Sequence, residues 1–101
     1  MLEAMSPRTK AVFLCSPLNP TGTAIGVAEW EEFLAGYPGC ALLILDEAYV
    51  EYVDDKERLE SVTFLAEHPY LLITRTFSKI CGLAGLRVGY ALSSPVVREL
   101  L

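Results

Sequence analysis

Four short stretches of this 101-residue chain carry side chains that could do chemistry. They are Asn19-Pro20-Thr21-Gly22, Asp46-Glu47-Ala48-Tyr49, Thr76-Phe77-Ser78-Lys79 and Gly82-Leu83-Ala84-Gly85-Leu86-Arg87. Each has an ordinary explanation when taken singly. Asn, Pro and Gly suit a turn, so Asn19-Pro20-Thr21-Gly22 reads first as one. Asp46-Glu47 behind an apolar run resembles the metal-binding acid of a nucleotide hydrolase. That chemistry needs a phosphate loop of the form G-x-x-x-x-G-K followed by Ser or Thr, and the chain has none. A lysine after a strand is most often solvated, and Gly82–Arg87 lacks the G-x-G-x-x-G spacing of a dinucleotide loop.

Other reactive side chains are sparse. Cys15, Cys40 and Cys81 are odd in number and widely spaced, without C-x-x-C. Reduced thiols fit better than a disulfide framework or a zinc site. Cys81, close to Lys79, reads as a small packing residue. His68, before Pro69, reads as a surface residue at a helix end.

The elements that must position these groups follow from the apolar pattern. Ala11–Cys15, Ala41–Asp46 and Tyr70–Thr74 are continuous apolar runs, which predicts parallel strands covered on both faces. Val27, Trp30, Phe33 and Leu34 recur at helical spacing, so a helix is expected over 27–36, stopped by Pro38-Gly39. A shorter helix is expected over 59–66. The order is β-α-β-α-β, an α/β unit with right-handed crossovers. A further strand is expected over 88–92, then a helix with Ser94 as N-cap and Pro95 at its first position. The segment from Ser78 to Arg87 is too short for a crossover helix, so this last strand should run antiparallel. In an open parallel sheet, ligands bind beyond the carboxyl ends of the strands. The first three motifs all sit at such ends, which argues for a single site.

Composition excludes several functions. Net charge is −5 with a pI near 4.7. No basic stretch is present, so nucleic acid is not an expected partner. The apolar runs are far too short to span a membrane, and Met1-Leu2-Glu3-Ala4-Met5 lacks the pattern of a signal peptide. A cytoplasmic location is expected. Hydrophobic residues make up 52% of the chain, more than so small a domain readily buries. Strong association, or excision from a larger core, would account for that.

Taken in order, the four motifs resemble the fold-type I pyridoxal-phosphate aminotransferases. Leu45-Asp46-Glu47-Ala48-Tyr49-Val50-Glu51-Tyr52 is similar to the histidinol-phosphate aminotransferases in particular. So is Arg75-Thr76-Phe77-Ser78-Lys79 followed by Gly82-Leu83-Ala84-Gly85-Leu86-Arg87-Val88-Gly89-Tyr90. The resemblance implies an α/β, three-layer large-domain fragment, its sheet mostly parallel with one antiparallel strand. It implies pyridoxal 5'-phosphate as cofactor, held by Lys79 as a Schiff base. Asp46 would keep the pyridine nitrogen protonated, and Asn19 and Tyr49 would donate to the ring oxygen. Ser78, Arg87 and Thr76 would hold the phosphate, an arginine fork being suited to bidentate binding. Glu47 and Arg75 read as supporting charges, and Tyr52 and Tyr90 as packing residues. The Asn19-Pro20 bond is expected to be cis.

The resemblance further implies a homodimeric enzyme that passes an amino group from histidinol phosphate, or a related donor, to 2-oxoglutarate. Residues 1–101 would be part of its large domain, truncated at both ends, without the small domain that grips the substrate. The isolated chain is then expected to be inactive. Two other readings stay open: an aminotransferase of aromatic or other amino acids, and a non-catalytic α/β module binding a partner through its sheet edges.

Overall fold

The computed structural model describes residues 1–99. Its strands are β1 (Ala11–Cys15), β2 (Leu42–Asp46), β3 (Leu71–Thr76) and β4 (Gly89–Ser93), with helices α1 (Val27–Gly36) and α2 (Pro95–Arg98). They form one sheet in the order β1-β2-β3-β4. The first three strands are parallel and β4 returns antiparallel along β3, as the short Ser78–Arg87 connection requires. β1 and α1 have the expected bounds, whereas the other strands are displaced by one or two residues. The helix expected over 59–66 is instead a 3-10 helix over Ser61–Ala66. It carries the β-branched pair Val62-Thr63, and Thr63 Oγ1 donates to the Glu60 carbonyl at 2.7 Å, a local bond that competes with regular helix. Further 3-10 turns lie at Leu2–Ala4, Val50–Tyr52 and Ala84–Leu86.

Alternation along the strands sends their side chains to two unequal faces. Val12, Leu43, Leu45, Leu71 and Ile73 pack with Trp30 and Leu34 of α1 and with Leu59 into the main core. The rings of Trp30 and Phe64 meet edge to face at 6.4 Å, joining α1 to the 3-10 helix over the sheet. On the opposite face, among the described residues, only Ile44, Leu72 and Val97 form a buried group. Part of that face is covered by the short α2, whose N-cap Ser94 accepts from the Val97 amide and donates to the Pro69 carbonyl. Phe13, in register with Ile44, is 67% exposed. The expectation of strands covered on both faces is therefore corrected: one face is covered, and the other is open over β1.

Parallel β1, β2 and β3 end side by side, and register places Cys15, Asp46 and Thr74 in one row. The loops that follow these ends carry the motifs.

Candidate functional site

The loop after β1 is held close to the sheet. The Ser16 amide donates to the Asp46 carbonyl at 3.0 Å, and Ser16 Oγ accepts from the Ile25 amide at 2.9 Å. Within the loop, the Leu18 amide donates to Thr23 and the Gly22 amide to Leu18. Gly22 lies at φ +74°, a conformation natural only to glycine here. The Asn19-Pro20 bond is cis, as expected, and so is Ser16-Pro17. This backbone projects Asn19 toward Tyr49, whose phenolic oxygen accepts from Asn19 Nδ2 at 3.1 Å.

The loop after β2 is shaped by its own acid. Asp46 Oδ1 accepts from the Ala48 amide at 3.0 Å, turning the chain so that Tyr49 follows close to the strand end. Glu47 points the other way and is only 1% exposed. Its Oε2 accepts from Arg75 Nε at 2.8 Å. Burial works against the Arg75 cation, yet the hydrogen bond and charge of Glu47, with help from Tyr90, hold the guanidinium above its ordinary range. This pair clamps β2 to β3 beneath the site, in keeping with the supporting role read from the sequence.

After β3, the Ser78 amide donates to Thr76 Oγ1 at 3.1 Å, which turns the chain and brings Lys79 over the β2 loop. Lys79 Nζ stands 5.0 Å from the centre of the Tyr49 ring, within reach of a cation–π attraction. Asn19, Asp46, Tyr49 and Lys79 thus line one cleft of about 290 Å³, with Cys15 and Leu18 completing its wall. An amine, a carboxylate, an amide and a phenol open onto the same space. Among the described residues no cluster of His, Cys, Asp and Glu is placed to hold a metal ion.

The remaining expected residues sit beside this cleft rather than in its lining. Ser78 is half-buried next to Lys79, and Thr76 Oγ1 lies 3.4 Å from the Val88 carbonyl. Arg87 is exposed, adopts a left-handed conformation at φ 53° and donates from Nη1 to the Ala84 carbonyl at 3.1 Å. Two packing assignments are corrected. Cys81 is exposed, and Tyr52 is 59% exposed, its ring 6.1 Å from that of Tyr49. Tyr90 is partly exposed, with its ring 5.3 Å from Phe77. Cys15 was missed as a lining residue. Its place opposite Asp46 across the ladder is the signal that locates it, and it needs the register to be known.

This donor set suits a planar group bearing an aldehyde, a basic ring nitrogen and a phenolic oxygen. The amine can bind the first, the carboxylate can face the second, and Tyr49 and Asn19 can face the third. Asn19 already occupies a lone pair of the Tyr49 oxygen, so the phenolic proton remains available to a ligand.

Comparison with known proteins agrees. The family described as aminotransferase class I and II matches residues 1–101. Histidinol-phosphate aminotransferase 2 of Pseudomonas fluorescens is 52% identical over 101 residues, which is 100% of this chain and 27% of that protein. An aromatic amino acid aminotransferase of Cutibacterium acnes is 43% identical over 99 residues, 98% of this chain and 28% of that protein. Among solved structures, histidinol-phosphate aminotransferase of Sinorhizobium meliloti in complex with pyridoxal-5'-phosphate superposes with a TM-score of 0.80. It is 38% identical, over 89% of this chain and 24% of that one. The chain thus spans 27% of the length of the first of these relatives.

Proposed function

This chain belongs to the aminotransferase class I and II family, and on that premise we propose a function for the whole protein. It is a pyridoxal-phosphate-dependent aminotransferase passing an amino group from L-histidinol phosphate to 2-oxoglutarate. The cleft that gathers Lys79, Asp46, Asn19 and Tyr49 at the strand ends is the observation that carries this reading. The relatives named as histidinol-phosphate aminotransferases support the donor. When bound, the cofactor withdraws electrons from the carbon beside the substrate nitrogen and so lets a proton leave it.

The chain's own residues then have distinct tasks. Lys79 supplies a primary amine, which can hold an aldehyde covalently and, once free, carry a proton. Asp46, fixed by the Ala48 amide, favours the charged form of the ring nitrogen. Tyr49 and Asn19 orient the ring through its oxygen. Ser78 and Thr76 offer hydroxyls to the phosphate. Arg87 offers a fork once it releases the Ala84 carbonyl. The protein works as a homodimer in the cytoplasm. No described helix is long and apolar enough to cross a membrane.

Purified whole protein mixed with pyridoxal phosphate should gain a visible absorbance that borohydride makes permanent on Lys79, and should turn over histidinol phosphate. Cofactor binding without that turnover would remove the donor assignment and leave the family chemistry. The aromatic relative makes phenylalanine and tyrosine the donors to test next. Absence of the absorbance would remove the chemistry itself.

A further inference from the structure

Asn19 and Tyr49 line more than the cleft that holds Lys79. Lys79 Nζ stands 5.0 Å from the centre of the Tyr49 ring. The Tyr52 ring centre stands 6.1 Å from it, its plane tilted by 48°. A second chamber of about 460 Å³ adjoins that cleft, and Asn19, Tyr49, Pro17 and Leu18 belong to the walls of both. Its far side is made by Tyr52, Val53, Asp54 and Glu57, and among the described residues no lysine or arginine lines it. The Tyr52 ring is 59% exposed, and the only ring contact it makes among the described residues is with Tyr49.

An unused aromatic face beside two carboxylates selects a particular chemistry. It accepts a flat, electron-poor ring carrying N–H donors, which can stack on the tyrosine while a carboxylate takes its proton. It disfavours an anionic group, because the charged side chains that line it among the described residues, Asp54 and Glu57, are both acidic. We propose that this chamber is the specificity pocket for the amino donor's side chain, taking an imidazole-like ring, with Tyr52 as the stacking surface and Asp54 as the acceptor. The inference rests on the aminotransferase reading above and adds the residues that choose the donor. It also gives a basis for telling the two substrates apart. An amino donor with a basic ring is retained in the chamber, whereas a 2-oxo acid with a side-chain carboxylate is turned away from it.

The test uses the whole protein with two donors: histidinol phosphate, and the phosphate ester of 2-aminobutanol, which has no ring. Tyr52→Ala should raise KM for histidinol phosphate about tenfold with little change in kcat. Asp54→Asn should raise it about threefold, and Tyr52→Phe, which keeps the ring, should behave as wild type. The ringless donor should be used equally well by all four proteins, and the cofactor absorbance should be unchanged. Equal losses with both donors would overturn the proposal by making Tyr52 a support for Tyr49. No loss with either would overturn it by making the chamber idle. Failure of the aminotransferase reading is a separate result, because wild type would then show neither cofactor absorbance nor transfer from either donor.

Discussion

At the scale of single residues, the proposed function separates groups that would react from groups that hold. The Lys79 side chain is exposed and makes no hydrogen bond among those described, so its loss should be silent in stability and decisive in chemistry. Lys79→Ala in the whole protein should abolish amino transfer while shifting unfolding by no more than about 0.5 kcal/mol. Arginine at this position should not rescue, since its guanidinium stays charged. Asp46→Asn should be severe but less absolute, because the amine can still hold the cofactor while the ring nitrogen loses its charged neighbour. Arg87→Ala should chiefly loosen cofactor retention. Bound cofactor and single-turnover rate, measured for all three variants, give the expected order. Normal turnover by Lys79→Ala would end the assignment. The Glu47–Arg75 pair behaves in the opposite way. Removing Arg75 strands a carboxylate that is 1% exposed, at a cost of about 3 kcal/mol. Glu47→Gln should cost less, because the Arg75 side chain is 22% exposed and can turn toward water. Denaturant midpoints that rank the two in reverse would show that the pair is not desolvated as described.

At the scale of elements, the pairing of β3 with β4 supports the turn that carries Lys79. A Cβ added to Gly89 would stand 2.8 Å from the Arg75 carbonyl, a backbone atom that cannot give way locally. Gly89→Ala should therefore push apart the Thr76–Gly89 end of the ladder and disturb the Thr76–Ser78 turn that delivers Lys79. The expected result is weaker cofactor binding alongside lower stability, and a variant that lost neither would place the turn's support elsewhere. Tyr37 ties the end of α1 to β2, its hydroxyl donating to the Ala41 carbonyl. Burial raises its pKa above the ordinary tyrosine value, against the opposing effect of that bond. A raised folded value means that its contribution to stability is complete below the unfolded pKa of about 10 and is lost as pH climbs through the folded one. Tyr37→Phe should accordingly flatten the alkaline limb of the stability curve.

The same elements explain how far the sequence could be read. β1 and α1 were legible to the residue because apolar periodicity begins and ends sharply there. β3 was not: Arg75 and Thr76 are polar, and they stay in the strand because Tyr90 and Gly89 pair with them. That antiparallel neighbour leaves no mark on hydropathy. Asn19, Asp46, Tyr49 and Lys79 line one cleft, and the sequence brings them together because all four lie at or just beyond the ends of parallel strands. The place of Arg87 depends on a left-handed turn and a carbonyl of its own loop, and that of Tyr52 on a 3-10 turn. Neither turn shows in residue spacing.

At the scale of the molecule, the described protein is a slab measuring 39 × 30 × 24 Å, with a radius of gyration of 13.9 Å. A rounded domain of this length would have about 13 Å. The flattening has a local cause: α1 and the Ser61–Ala66 helix cover one sheet face, whereas the short α2 shields only part of the other. Phe13 lies bare in register with the buried Ile44, and among the described residues the outer edge of β1 has no neighbour in the sheet. Exposed apolar surface and an open strand edge both favour pairing with another chain. The 101-residue chain in isolation should therefore associate, or bind an apolar dye strongly, in solution. Phe13→Lys should reduce both behaviours by charging the middle of the bare face, without touching the core on the other side. Sedimentation that found a compact monomer with no dye binding in the unmodified chain would mean the face is closed in a way this sheet does not provide.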